Sequence, residues 1–215
     1  MERDALGVPG GPSVRVAVSG ASAARAAEAA AAMAASGCPL ILSVGLAGGL
    51  DPALATGTLV VPDVVVGEDA VAVALDPQVG ARLRARLGGG VASGRLLGLD
   101  RVAAGPGEKR ALAARHDAVA VDMESHAVAR AAAACGARAG VLRVIGDEAA
   151  TALPRLAAEA VGADGRPRIG RVLTGLVHRP GDLPALLRAG RDSRRALAAL
   201  ARAAPALVAL LDERP

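Results

Sequence analysis

Acidic residues follow two apolar segments in the second half of the chain. The segment AVAVDM ends at Met123 and is followed by Glu124, and the segment GVLRVIGD ends at Asp147. Two carboxyl groups held close together can divide the work of breaking a bond, because one stabilises positive charge while the other donates a proton. Glu124 and Asp147 are therefore the first candidates for catalytic residues.

The elements around these acids suggest how they could meet. Residues 118–123 and 140–145 have the pattern of strands, and residues 125–135 have that of a helix. Such a unit returns the chain parallel to its start, so both strands would end at one edge of a sheet, where ligands bind in α/β folds. The alternative is that Glu124 and Asp147 only cap helices.

Arg143 lies inside the second of these strands. Strand alternation places its side chain on the face opposite Val144. A charged side chain within an apolar strand usually has an ionic partner and often a function. Arg143 is therefore the third candidate for a catalytic residue.

The remainder of the first 150 residues alternates between strand and helix patterns. Strands are predicted for VRVAV at 14–18, PLILSVG at 39–45 and TLVVPDVVV at 58–66. Helices are predicted for the alanine-rich residues 21–36, which stop at Gly37, and for 78–87 and 108–115. This alternation favours a doubly wound or related α/β fold.

Beyond about residue 150 the pattern changes to helices separated by Gly-Pro turns. The segment from Leu183 to Leu211 is amphipathic and basic. We expect it to pack on the rest of the protein, with contact to a membrane surface as the alternative. The length of 215 residues predicts a single domain over 1–215, with a basic helical extension at about 151–215.

The composition restricts how a ligand can be held. Hydrophobic residues make up 53% of the chain, but Phe, Tyr and Trp are absent, so a ligand ring would be bound without aromatic stacking. The net charge of +4 comes from arginines that are scattered along most of the chain, which argues against a nucleic-acid partner. The N-terminal residues include charges and no apolar signal segment, which predicts a cytoplasmic protein.

The cysteines and histidines show no spacing typical of a metal site. Cys38 and Cys135 are expected to be buried free thiols, and no metal is predicted. His116 falls in a predicted loop and His178 in the basic tail, so both are expected to be solvated. His126, at the start of a predicted helix, could line a site or only cap the helix.

Two long motifs resemble one enzyme superfamily. VDMESHAVARAAAACGARAGVLRVIGDEA is similar to the segment of nucleoside phosphorylases and methylthioadenosine/adenosylhomocysteine nucleosidases that reads V-[DE]-M-E, a helix, then R-x-[IV]-S-D. LSVGLAGGLDPALATGTLVVPD resembles their T-G-x-A-G-G-L motif and the strand after it. VDMESH and residues 164–197 further resemble the hopanoid-associated phosphorylase branch. The resemblance implies a phosphorylase-like fold, with a central mixed sheet flanked by helices.

The resemblance also implies catalytic roles. Glu124 matches the acid that hydrogen-bonds the ribose hydroxyls, and Met123 matches the residue that packs on the sugar. Asp147 matches the acid that donates a proton to purine N7. Arg143 matches the arginine beside the nucleophile and the ribose. The four residues would together serve cleavage of an N-glycosidic bond.

Further residues would bind the substrate. Ser19 and Gly20 match an S-G-x-G turn near the nucleophile or phosphate, where a helix N-terminus favours an anion. Ala47 and Gly48 belong to the glycine-rich motif and are expected to contact the substrate. His126 is expected to line the site, because the hopanoid-associated branch also reads E-S-H.

Several positions depart from the family pattern. Gly146 replaces a serine, and Ser22 replaces the second glycine of S-G-x-G. The first strand and the loop that carries the water-activating glutamate of the nucleosidases have no clear counterpart, with Glu2 as the one candidate remnant. A non-catalytic nucleoside-binding homologue is therefore an alternative. A dinucleotide site at GLAGGL is disfavoured, because a β-branched strand follows it where a helix should begin.

The predicted function is cleavage of a purine nucleoside, with adenine released from adenosylhopane as the substrate that the branch implies. A methylthioadenosine/adenosylhomocysteine nucleosidase is the alternative enzyme. No cofactor is expected, although phosphate could be a co-substrate in place of water. The resemblance also implies a homo-oligomer, with a dimer favoured, and a lipid nucleoside would require peripheral contact with a membrane.

Overall fold

The described part of the chain forms one mixed sheet with helices on both faces. The computed structural model describes residues 14–152 and 180–212. The strands are β1 (Leu40–Gly49), β2 (Leu59–Val60), β3 (Val64–Gly67), β4 (Ala72–Ala74), β5 (Arg95–Gly98), β6 (Ala118–Asp122) and β7 (Arg138–Asp147), and their order in the sheet is β2-β7-β1-β6-β5-β3-β4. The α-helices of the described ranges are α1 (Ala23–Ala35), α2 (Pro77–Leu87), α3 (Pro106–His116), α4 (Ser125–Ala134) and α5 (Leu183–Asp212). The predicted fold class is confirmed.

The two longest strands, β1 and β7, lie side by side in the centre of the sheet. They pair in parallel over most of their length and bury side chains on both faces. Along β7, Val141 and Ile145 belong to the apolar core beneath α1 and α4, whereas Leu142 and Val144 belong to the core beneath α2 and α5. Alternation therefore places Arg143 on the α4 face, opposite Val144, as predicted.

The two acid-bearing strands are connected differently from the prediction. β6 pairs antiparallel with β1, which separates it from β7, so the parallel crossover predicted for residues 118–145 is wrong. An apolar strand pattern is the same in either direction, and it does not reveal that another strand is inserted. The ends of β6 and β7 nevertheless approach each other, because Gly48 of β1 pairs with Val121 on one side and with Asp147 on the other.

The ends of the helices follow the local sequence. The hydroxyl of Ser22 accepts a hydrogen bond from the backbone N–H of Arg25 (3.4 Å) and caps the start of α1. The residues that follow the C-caps of α1 and α4 are Gly37 and Gly136, with φ angles of 86° and 70°. Glycine adopts this backbone conformation without the steric cost of a side chain, so both helices end where the sequence predicts.

Four further expectations are wrong. Residues 14–18 form no strand, and Val16 and Val18 are exposed. Pro62 lies in the gap between β2 and β3, where a single strand was expected, because proline has no N–H for a strand ladder. The His116 side chain is buried at the end of α3. Cys135 is exposed and Cys38 half-buried, although both are free thiols as predicted.

The C-terminal helix α5 packs on the sheet. Its buried side chains Ala196, Leu200, Ala203 and Leu207 share one apolar core with Leu142 of β7. This is the packed helix that the sequence predicts. Within the described ranges, no helix combines the length and apolarity needed to cross a bilayer. The helices expected at 153–179, with His178 among these residues, and Glu2 lie outside the described residues.

Candidate active site

A cavity of about 580 Å³ opens where β1, β6 and β7 meet. Five predicted site residues line it from these strands and the turn after β6: Ala47, Gly48, Met123, Glu124 and Asp147. Gly20, from the segment before α1, lines it as well. The antiparallel arrangement of β6 therefore brings the two candidate acids to one cavity, although by a different path from the predicted crossover.

Arg143 forms a buried ion pair behind this cavity. Its Nε and Nη2 atoms lie 2.7 Å and 2.6 Å from Oδ2 of Asp122, the last residue of β6. Nη2 also donates to the hydroxyl oxygens of Ser43 (2.7 Å) and Ser125 (2.8 Å). The two charged side chains are only 2% and 1% exposed, so their charges interact with little solvent screening.

Asp122, to which the sequence analysis assigned no role, also caps α4. Its Oδ2 accepts hydrogen bonds from the backbone N–H of Ser125 (3.0 Å) and from the Ser125 hydroxyl (2.7 Å). Glu124 occupies the N-cap position but its side chain makes no capping hydrogen bond. The carboxylate of Glu124 instead lies 3.9 Å from Arg143 and lines the cavity. Helix capping thus does not explain the presence of Glu124.

Asp147 is held by a lysine that the sequence analysis did not select. Lys109 of α3 has a fully buried side chain, and its Nζ donates to Oδ2 of Asp147. The same Nζ donates to the carbonyl oxygens of Glu148 (2.8 Å) and Thr151 (3.1 Å). The signal available in the sequence was weak: Lys109 is the sole lysine of the chain, in a segment with no motif.

Burial and two neighbouring charges act on the pKa of the Asp147 carboxyl group. Desolvation raises the pKa of its carboxyl group above the ordinary value, because removal from water disfavours the charged form. The ammonium of Lys109 opposes this rise, and the negative charge of Asp192 on α5 adds to it. A carboxyl group with a raised pKa keeps its proton to a higher pH, as a general acid requires.

Ser19 and His126 lie outside the main cavity. Ser19 borders a smaller space of about 90 Å³ that Ser43, Glu124 and Arg143 also line. His126 lines a separate surface cavity, where its Nε2 lies 3.4 Å from Oδ1 of Asp100. The two positions therefore differ: Ser19 adjoins Arg143 and Glu124, whereas His126 contacts Asp100 and does not line the cavity that holds Asp147.

Helix α5 forms the outer wall of the main cavity. Its first half contributes Ala185, Arg188, Ala189 and Asp192, and Leu197 lies further along the same wall. The sequence predicts that this helix packs on the sheet but does not indicate that it reaches the candidate site. In the described part of the chain, no group of three or more His, Cys, Asp or Glu side chains could hold a metal ion.

Comparisons with known proteins agree with this fold. The profile of the phosphorylase superfamily matches residues 6–178. The structure of a 5′-methylthioadenosine/S-adenosylhomocysteine nucleosidase from Helicobacter pylori, with butyl-thio-DADMe-Immucillin-A, matches with a TM-score of 0.64 and 20% identity, over 90% of this chain and 77% of that chain. No curated protein matches the chain in sequence.

Two further structures show how far the similarity extends. A protein from Francisella philomiragia assigned as a nucleosidase of the same kind has a TM-score of 0.66 and 19% identity, over 93% of this chain and 80% of that chain. A futalosine hydrolase mutant from Helicobacter pylori has a TM-score of 0.54 and 22% identity, over 58% of this chain and 66% of that chain. The structural similarity, at identities of only 19–22%, shows that these proteins share a fold with this chain. Because the family profile covers most of its length, the chain belongs to the phosphorylase superfamily.

Proposed function

We propose that the protein cleaves the N-glycosidic bond of a purine nucleoside. The observation that carries this proposal is that Glu124 and Asp147, from two separate strand ends, line one cavity. Breaking this bond builds positive charge on the sugar and negative charge on the base. A carboxylate and a proton donor that line the same cavity meet these two demands.

The proposal divides the reaction between these acids. Glu124 accepts hydrogen bonds from the ribose hydroxyls, and Met123 packs against the sugar. Asp147 donates a proton to N7, so that the base leaves as a neutral molecule. The raised pKa of Asp147 supports this role, because the carboxyl group must carry a proton before the bond breaks. Ala47 and Gly48 lie beside Asp147 and would contact the base.

The nucleophile would approach from the side of Arg143. Ser19, Ser43 and Arg143 line the small space that adjoins Glu124, which offers hydrogen-bond donors to a water molecule or a phosphate. Asp122 already neutralises the charge of Arg143, which weakens the case for phosphate. The proposal requires no cofactor, and it keeps water and phosphate as the two nucleophiles to be distinguished.

The substrate proposed first is adenosylhopane, with adenine as the released base. Its lipid part would leave the cavity along the first half of α5, where the small side chains Ala185 and Ala189 form the wall. Leu183 and Leu187 of the same segment are exposed and would meet a membrane surface. We further propose a cytoplasmic homo-oligomer, with a dimer favoured, formed from one domain per chain over 1–215.

The second candidate substrate is 5′-methylthioadenosine. It is favoured by the shared fold, because a nucleosidase mutant of Helicobacter pylori with this fold has been solved with 5′-methylthioadenosine in its active site. The same cavity would then hold a short substituent at the ribose 5′ position. A non-catalytic nucleoside-binding protein is the alternative that an activity measurement decides.

The test is to measure adenine release from adenosylhopane and from 5′-methylthioadenosine, each with and without phosphate, and to identify both products by chromatography. We expect release from the lipid nucleoside. A phosphorylated sugar product would identify phosphate as the nucleophile. Release from 5′-methylthioadenosine alone would overturn the lipid assignment, and no release by a folded sample would overturn the enzymatic function.

A further inference from the structure

Lys109 is unusual in both sequence and structure. It is the one lysine in a chain rich in arginine, and its side chain is fully buried. Lysine is almost never fully buried without a partner, because transferring its charge from water costs free energy. A buried lysine that contacts a candidate catalytic acid therefore requires an explanation beyond packing.

The Lys109 ammonium group donates as many hydrogen bonds as it can. An ammonium group has three N–H bonds, and Nζ has three acceptors: Oδ2 of Asp147 and the carbonyl oxygens of Glu148 and Thr151. All three acceptors belong to the end of β7 and the turn after it. Lys109 thus holds the Asp147 carboxyl group by one oxygen.

We propose that Lys109 and Asp147 share one proton, and that this pair supplies the proton to the leaving base. This inference rests on the proposed cleavage of a purine nucleoside. The pair has two forms with the same number of protons: ammonium with carboxylate, and amine with carboxylic acid. In a site without water, the neutral form avoids the cost of two buried charges. Substrate that fills the cavity would favour it by excluding water.

The proton balance follows from the neutral form. Asp147 transfers its proton to N7 as the bond from N9 to the sugar breaks and its electron pair stays on the base. The base leaves neutral, Asp147 becomes a carboxylate, and Lys109 remains an amine. The sugar carbon bonds to the oxygen of water or phosphate, and the proton of that nucleophile passes to solvent. One proton from solvent converts Lys109 back to an ammonium when the product leaves and water enters the cavity.

Other charged groups near the pair do not replace Lys109. Asp192 of α5 faces Asp147 and raises the pKa of its carboxyl group. Arg188 of α5 lines the same cavity but is exposed, and Arg101 is paired with Glu108. The remaining charges nearby have partners of their own: Arg143 pairs with Asp122 and approaches Glu124, and Oε1 of Glu148 accepts from the backbone of Thr56.

The experiment compares how kcat depends on pH in the wild type, Lys109→Met and Lys109→Arg. In the wild type a proton that leaves Asp147 stays within the pair on Lys109, whereas methionine leaves Asp147 as a lone acid that loses its proton to solvent. We therefore expect kcat of Lys109→Met to begin to fall at a pH at least about one unit lower than in the wild type. Arginine keeps the charge but does not release a proton, so kcat should drop by about 100-fold or more at every pH. Arg110→Met removes an exposed charge from the same helix and should leave the profile unchanged.

A purely structural role for Lys109 predicts a different result. Both variants would then lose kcat by a similar factor across the pH range. The alkaline limb of Lys109→Met would stay in place or move to higher pH, because the ammonium of Lys109 lowers the pKa of Asp147, and either outcome would overturn the inference. Should Lys109→Met fail to fold, as judged by circular dichroism and gel filtration, Lys109→Gln provides the same comparison, since glutamine is also uncharged.

Adenine binding separates this inference from the proposed function. The N7 atom of free adenine accepts a hydrogen bond from the same proton. The adenine affinity, measured by calorimetry at several pH values, therefore shows whether the Lys109–Asp147 pair carries its proton, and no turnover is needed. If the wild type binds adenine but releases none from nucleosides, the proposed catalysis fails. If Lys109→Met loses its affinity for adenine at a lower pH than the wild type does, this result would still support the shared proton. An unshifted profile, or no adenine binding by the wild type, would overturn it.

Discussion

The guanidinium group of Arg143 and the carboxylate of Asp122 form an ion pair of 2.6 Å beneath the candidate active site. This pair already balances the charge of Arg143 before Glu124 is counted. Glu124, 3.9 Å from the same Nη2, is therefore a second carboxylate for one guanidinium. The excess of negative charge suits a sugar that becomes positive during cleavage.

Replacing Glu124 with glutamine should abolish most turnover. The Glu124→Gln variant keeps the size of the side chain but loses the negative charge, so we expect kcat to fall by about 100-fold or more while the fold is retained. The measurement is steady-state adenine release, with circular dichroism for the fold. Glu28→Gln, on the exposed side of α1, is the matched control. An unchanged rate in Glu124→Gln would remove this residue from the mechanism.

Replacing Asp122 with asparagine should destabilise the protein. Asp122→Asn leaves the buried charge of Arg143 without its main partner, and breaking such a pair typically lowers the free energy of unfolding by about 3–5 kcal/mol. Urea denaturation measures this loss. The control is Asp69→Asn, because Asp69 pairs with Arg130 at the surface and its loss should change stability little. Equal stability of both variants would contradict a structural role for the Asp122 pair.

The secondary structure could largely be predicted from sequence because its signals are local. The helices α1 and α4 are rich in alanine and end just before a glycine, and the central strands are rich in β-branched residues. The short strands β4 and β5 were missed, since three or four residues contain too little pattern. The direction of β6 was mispredicted because strand pairing depends on long-range contacts.

The candidate site could be predicted only where a motif exists. Glu124 and Asp147 follow recognisable strands, and the structure places both at one cavity. The sequence does not reveal the role of Asp122, because its pairing with Arg143 depends on the register of β6 beside β1. Lys109 carries no local signal, because its contact with Asp147 joins residues far apart in the chain.

Replacing Asp147 with asparagine should affect substrates according to their leaving group. Asp147→Asn does not donate the proton, so adenine release should fall by about 100-fold or more, but cleavage of a 4-nitrophenyl riboside, whose leaving group requires no proton, should fall less than about tenfold. The measurement compares the rates of cleavage of the two substrates by the same enzyme preparation, for the variant and for the wild type. Equal losses for the two substrates would show that Asp147 is not a proton donor.

The dependence on pH provides a second test of Asp147. Because burial raises the pKa of its carboxyl group, the protonated form persists above the pH at which an ordinary carboxyl group ionises. Wild-type kcat should therefore be high below the pH at which the donor loses its proton, and should fall as the pH rises through it. The Asp147→Asn profile should lack this fall. A fall in the variant that matches that of the wild type would assign the titration to another group.

Gly146 offers a substitution that adds a hydrogen-bonding group to the site. A Cβ atom at this position would lie 3.7 Å from the carbonyl oxygen of Ala47 and at least 3.7 Å from Leu46, which are ordinary contacts. Gly146→Ser should therefore fold normally, with a Tm close to that of the wild type. We expect the hydroxyl to raise kcat/KM for 5′-methylthioadenosine, whereas the control Gly146→Ala should not. A similar increase in both variants would exclude a role for the hydroxyl.

The membrane proposal requires point substitutions in α5, because deleting this helix would expose the apolar core around Leu142 and Leu200. Leu183 and Leu187 are 44% and 53% exposed, and the exposed Arg188 follows them at the start of the helix. The double variant Leu183→Ser/Leu187→Ser should keep the fold, since neither side chain supports the core.

Sedimentation with anionic lipid vesicles measures the contribution of these leucines. Each leucine that leaves water for a lipid surface contributes about 1.5 kcal/mol or more, so the double variant should partition at least about tenfold less. Val71→Ser is the matched control, because Val71 is similarly exposed (52%) but lies next to β4, at the far edge of the sheet. Turnover of 5′-methylthioadenosine should stay unchanged in both variants, since Leu183, Leu187 and Val71 do not line the cavity. Identical partitioning of the wild type and the double variant would exclude this segment as a membrane contact, and adenosylhopane would then have to enter the cavity by another route.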